Sequence, residues 1–226
     1  MTESADMNLL AIDTSSSALR LAVRFGADRL VQSNDQVDRA HGQMIMRKIS
    51  NLFESSGIEV GQIGGLVVCL GPGSFTGLRV GIAVAKGIAV AQNIPIVGVS
   101  LFDIAATKLG AMAKRSMAII PHRRGEYYAA LMGRPVTDEN VRIVTQSMLA
   151  SLAVEYRLVG LGLDTAALSH DEHRSIDNLD YSAADLLYLG AERIAAGRID
   201  QVETLEPLYF GKSQAEIKFD QRRQQQ

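Results

Sequence analysis

Residues 66–92 read LVVCLGPGSFTGLRVGIAVAKGIAVAQ, and the fold turns on how this stretch is read. Positions 66–70 form a short apolar run rich in Val, the pattern of a strand buried on both faces. Gly71, Pro72, Gly73 and Ser74 make a turn cluster, and Ser74 or Thr76 can cap the helix that follows. Along that helix Gly77, Gly81, Ala85 and Ala89 recur at helical spacing. They leave a groove nearly free of side chains, into which another backbone can come close. Each glycine costs a helix about 1 kcal/mol against alanine. Gly77, Gly81 and Gly87 together therefore imply a packing reason.

The rest of the chain sets the bounds. Its 226 residues are enough for one large domain or two small ones, and 47% apolar content supplies a core. A net charge of −2 gives no global attraction to nucleic acid or anionic lipid. Cys69 is the single cysteine and reads as a small core residue, so no internal disulfide forms. The opening MTESADMN lacks a basic start and an apolar run, and Arg79 and Lys86 interrupt the longest apolar stretch. A soluble, cytosolic protein with no membrane segment is expected.

Upstream, LLAID (9–13) is an apolar run ending in a carboxylate, followed by the hydroxyl-rich TSSS. Residues 18–24 alternate, with Leu19, Leu21 and Val23 on one face and Arg20 and Arg24 on the other. A turn at 25–29 leads to a third strand over 30–34. Asp13 beside Thr14 and Ser15 can hold hydrated magnesium against a phosphate, or can simply cap a turn. Helical spacing over 41–55 places Met44, Ile45, Lys48, Ile49, Leu52 and Phe53 on a helix stopped by Gly57. His41 has Met44 and Ile45 at the positions a second metal ligand would need, so it is not read as a ligand. A strand over 94–100 and a helix over 101–114 complete a β-β-β-α-β-α-β-α series. The pattern restarts at Met117, with a strand over 117–121, a turn at Arg124-Gly125 and a second strand with Tyr128 within 122–132, a hairpin element over 133–145 turning at 137–140, a helix over 148–154 and a strand over 157–162. Residues 164–180 read as irregular; His170 and His173 within them lack further metal ligands. Residues 182–196 form a helix capped by Ser182 and stopped by Gly197, and LEPLYF (205–210) leads into a polar, disordered tail.

Two nucleotide motifs fail on the central loop. Gly71-x-Gly73-x-x-x-Gly77 misses the dinucleotide spacing, and the next strand ends in VGVS without the ribose-binding acid. No Gly-Lys-Ser/Thr follows it either, so it is not a P-loop.

LLAIDTSSSALRLAV, GPGSFTGLRVGIAVAKGIA and IVGVSLFDIAA, with RRGEYYAALM and EPLYF later in order, resemble the bacterial TsaB (YeaZ) family over essentially the whole chain. The resemblance implies an α/β protein of the actin/Hsp70/sugar-kinase (ASKHA) fold, two lobes each on a mixed five-stranded sheet. It places the N-terminal lobe at 1–106, the C-terminal lobe at 107–210 and a polar tail at 211–226. It also implies a non-catalytic part in making threonylcarbamoyladenosine at position 37 of tRNAs reading codons that begin with A. The partners it implies are the catalytic paralogue TsaD, the ATPase TsaE, and a second copy of the chain when alone, with tRNA reached mainly through the complex.

Two departures from catalytic relatives agree with that role. Ile45 stands where a metal-binding relative would carry its second histidine, and Pro121-His122-Arg123 stands where TsaB relatives often show an aspartate first. Both count against the alternative, an independent ASKHA-type ATPase or kinase or a metallopeptidase-like enzyme. Asp13, Thr14 and Ser15 then read as the remnant of a phosphate loop, a place for weak ATP or ADP binding with magnesium at a complex interface; no resident cofactor is called for. The family resemblance makes helices 41–55 and 75–92 the pairing surface. On it, His41, Met44, Ile45, Lys48 and Leu52 are expected to meet Leu78, Gly81, Ile82 and Ala85, so that Gly81→Leu would overpack the contact; the alternative for the glycine face is an internal helix packing on its own sheet.

Overall fold

The computed structural model describes residues 7–26, 28–37, 41–163 and 176–210. His170, His173 and the tail from 211 lie outside these. One sheet is built from β1 (Leu9–Asp13), β2 (Ala18–Phe25), β3 (Arg29–Gln36), β4 (Gly65–Gly71) and β5 (Ile96–Ser100), in the order β3-β2-β1-β4-β5. A second is built from β6 (Ser116–Arg123), β7 (Glu126–Leu131), β8 (Val141–Thr145), β9 (Arg157–Leu161) and β10 (Ile176–Leu179), in the order β10-β9-β6-β7-β8. The two follow one plan. The lead strand, β1 or β6, pairs antiparallel with the next strand and parallel with the fourth.

Five α-helices accompany them among the described residues: α1 (His41–Ser56), α2 (Phe75–Gln92), α3 (Leu101–Leu109), α4 (Gln146–Glu155) and α5 (Ala183–Ala195). Alternation along β1 and β4 sorts the core into two layers. Leu10, Ile12, Leu66 and Val68 face α1 and α2, meeting Ile45, Ile49, Leu52, Phe53, Ile82, Ala85 and Ala89. Leu9, Ala11, Val67 and Cys69 face the other way, toward α3, α5 and the second sheet's Ala118 and Ile120. Both faces of β4 are therefore covered, which is why its sequence is apolar throughout.

Ser74 does cap α2, its Oγ accepting from the Gly77 amide at 3.2 Å. Asn93 closes the helix in the left-handed region at φ 52°. By length and composition α2 is the one described helix that could cross a membrane, but here it packs on the sheet beside α1.

Three expectations need correcting. The helix over 101–114 stops at Leu109, because Gly110 turns to φ +51°, and the chain goes on as a 3-10 segment, Gly110–Arg115. The 133–145 element is a 137–140 turn followed by β8 alone. The stretch read as irregular ends in a strand, β10, whose IDNL sequence shows little apolar alternation because it forms an edge. α5 follows the second sheet in the chain yet lies on the first. A Cβ on its Gly190 would come 2.2 Å from Val67 Cγ2, so only glycine allows this approach.

Candidate functional site

A cleft of about 780 Å³ opens where the β1–β2 loop, the start of α2 and the near ends of β6 and β9 converge. Hydroxyls line one side (Ser15, Ser16, Ser17, Ser74, Thr76), and Ile120, Pro121, His122 and Tyr181 line the other. No carboxylate lines it among the described residues.

Asp13 lies just beneath, fully buried at 0% exposure. The β1–β2 hairpin sets Arg20 directly opposite it, and Arg20 Nη1 donates to Asp13 Oδ2 at 3.3 Å. The same nitrogen donates to Ser16 Oγ and to the Tyr181 hydroxyl, each at 3.0 Å. Tyr181, from the segment between β10 and α5, donates its hydroxyl to Asp13 Oδ2 at 3.1 Å, and the guanidinium sits 4.5 Å from its ring centre. The Ser15 amide donates to Asp13 Oδ1 at 2.8 Å. Burial, with the Asp13 charge, pushes the Tyr181 phenol well up, so it stays protonated and able to donate. The same causes push the Cys69 thiol up and keep it an inert core residue.

The β1–β2 loop is pressed against α2. Ser74 N donates to the Ser15 carbonyl at 2.7 Å. Cβ atoms at Gly73, Gly77 and Gly81 would fall 2.1 Å from Ser15 O, 2.2 Å from Thr14 O and 2.2 Å from Thr14 Oγ1. The glycine groove is thus occupied by this chain's own loop. That corrects the expected pairing surface: Ile45, Leu52, Leu78, Gly81, Ile82 and Ala85 are all buried in the core of the chain itself. Lys48 is tied sideways to Asp35 on β3, and Met44 is half-buried. His41 opens α1, and its side chain lies outside what is described.

The outward faces of the same two helices are different residues. On α2 they are Phe75, Arg79, Ala83, Gly87 and Val90, and on α1 Gln43, Met46 and Arg47. Val90 and Met46 are 67% and 55% exposed. A C-terminal strap runs beside α2 and braces it. Lys86 reaches the Glu203 carbonyl, Leu208 N bonds Leu70 O, and Tyr209 packs on Phe75 at 4.9 Å while accepting from Arg79 Nε.

At the second sheet, Arg123 pairs with Glu126 across the β6–β7 turn and faces solvent. His122 stacks on Tyr128, its centroid 4.4 Å away. Burial, then the neighbouring Arg123 charge, lowers the His122 pKa, so the folded state favours the neutral ring. Stability from this site is full above the unfolded value of about 6.5 and declines as pH falls below it. Urea titrations should therefore show the wild type losing more stability between pH 7 and 5 than His122→Asn; equal losses would mean the ring is not desolvated.

Sequence reasoning missed Arg20, Tyr181 and the strap. Arg20 was legible in principle, since a hairpin closing over TSSS puts it across from Asp13. Tyr181 carries no local signal, being 168 residues away.

Two like-built mixed sheets around a cleft, with the phosphate-loop position between β1 and β2, define a two-lobed protein of the actin/Hsp70/sugar-kinase class. Residues 33–158 match the family described as TsaD, tRNA N6-adenosine threonylcarbamoyltransferase. The Escherichia coli tRNA threonylcarbamoyladenosine biosynthesis protein TsaB is 32% identical, over 90% of this chain and 94% of its own. The Bacillus subtilis protein of that name is 27% identical, over 94% and 98%. A crystal structure of a Pseudomonas aeruginosa protein, described as similar to peptidase YEAZ, superposes with a TM-score of 0.68 at 25% identity, covering 91% of this chain and all of that one. The chain belongs to the TsaB (YeaZ) family of tRNA threonylcarbamoyladenosine biosynthesis proteins.

Proposed function

We propose that the chain is the scaffolding, non-catalytic subunit of the complex that moves a threonylcarbamoyl group from threonylcarbamoyl-adenylate to N6 of adenosine 37 in tRNAs reading codons that begin with A. It binds and supports TsaD, works with TsaE, pairs with itself when alone, and meets tRNA through the complex in the cytoplasm. The observation that carries this reading is the state of Asp13: this acid, buried beneath the cleft, has both oxygens engaged by its own chain. Three hydrogen bonds and complete burial hold it back from a metal or from general-base work. Within this reading, residues 1–106 act as the partner-binding lobe, 107–210 as the second lobe and 211–226 as a tail. The contact falls on the outward residues of α1 and α2, with Phe75, Arg79 and Val90 as anchors. ATP or ADP with magnesium, where it takes part, sits at the interface with TsaD rather than on Asp13.

Reconstitution tests it. Modification of tRNA should require this chain together with TsaD and TsaE, and the chain alone should neither hydrolyse ATP nor modify tRNA. Modification by this chain alone, or at full rate by TsaD and TsaE without it, would sink the reading.

A further inference from the structure

The fold class implies a nucleotide with magnesium in the cleft, and the residues present do not fit one. A metal on Asp13 would have to reach a fully buried carboxylate and compete with the groups already on its oxygens. Here Oδ2 takes the Arg20 guanidinium and the Tyr181 hydroxyl, and Oδ1 takes the Ser15 amide. A phosphate would need the amides that open α2. The Ser74 amide is instead spent on the Ser15 carbonyl at 2.7 Å, and the Gly77 amide on Ser74 Oγ. Gly73 and Gly77 press on the Ser15 and Thr14 carbonyls, leaving no gap between loop and helix for a phosphate.

We propose that this site is ligated by the chain itself: the Arg20 guanidinium stands in for the cation, the Ser15 carbonyl stands in for the phosphate oxygen, and together they exclude magnesium–nucleotide. The charge balance supports it. Asp13 is fully buried and Arg20 is its only charged partner among the described residues, with the guanidinium side chain 12% exposed. A buried carboxylate without a counter-charge is costly, so the site requires one positive charge and the chain supplies it. Tyr181 completes the ligation from the far side of the cleft, which ties the β10–α5 segment to the first sheet. The proposal concerns this cleft alone and does not depend on the partner role.

The test uses the full chain and Mn²⁺, followed through the loss of the free-ion electron paramagnetic resonance signal. The wild type should show no Asp13-dependent uptake. Arg20→Ala should gain one site per chain, and Asp13→Asn in the same chain should abolish it. Equilibrium dialysis of ATP with excess magnesium should show no Asp13-dependent retention by Arg20→Ala, because the phosphate side stays closed. Asp13-dependent Mn²⁺ uptake by the wild type, no gain in Arg20→Ala, or Asp13-dependent retention of ATP would each overturn the proposal. Should Arg20→Ala fail to fold, the Asp13→Asn/Arg20→Met chain decides it. Recovery of folding supports the counter-charge role, and no recovery refutes it.

Discussion

Gly77→Ala is expected to lower the unfolding midpoint by about 10 °C, corresponding to about 3 kcal/mol lost. The new methyl carbon would sit 2.2 Å from the Thr14 carbonyl oxygen. Backbone cannot rotate aside as a flexible side chain can. The carbonyl belongs to a loop held on its other side by the Ser74 N–Ser15 O bond and by the Asp13 network, so relief must move α2 or the whole loop. Gly81→Ala should cost less, since its clash is with the Thr14 hydroxyl, a group with no hydrogen-bond partner to lose. Differential scanning calorimetry of the two variants checks the order. If the glycine stripe instead faced another protein, both changes would stabilise the isolated chain by about 1 kcal/mol through helix propensity, the opposite sign.

That sign also separates what a single sequence discloses from what it hides. The strand, loop and helix over 66–92 were legible because burial, turn chemistry and capping all agree there. Strand order was not legible from periodicity, since parallel pairing leaves no local mark, and the family resemblance implied only two mixed five-stranded sheets. A small-residue stripe says that something comes close without saying what. Ala85 and Ala89 pack inward with Gly77 and Gly81, while Ala83 and Gly87, on the same helix, look outward. α2 is apolar nearly all round, so its hydrophobic pattern cannot tell the two faces apart. Likewise Arg20 reads as a solvent-facing residue in an alternating strand, and only the cross-strand position of Asp13 turns it into a buried ion-pair partner.

The outward face gives the second large effect. On the proposed pairing with TsaD, Gly87→Arg should weaken that association by about 100-fold, roughly 2.7 kcal/mol, while the isolated chain stays as stable as before or gains up to about 1 kcal/mol. A Cβ at Gly87 meets nothing within 4 Å, so the monomer has room for the side chain. Gly87 is one helical turn from Ala83 and is flanked by the exposed Val90, so a partner helix could pack there at short interaxial distance. An arginine at that point would hold the helices apart and bury a charge without a designed counter-ion. Surface plasmon resonance against TsaD reads the affinity, sedimentation velocity reads self-association, and calorimetry controls for folding. Unchanged affinity in a folded Gly87→Arg chain would move the partner surface off α2. A parallel loss in Phe75→Ala/Tyr209→Ala would extend that surface onto the C-terminal strap, because those two rings pack on each other and hold Arg79 where its outer nitrogens can meet a partner carboxylate.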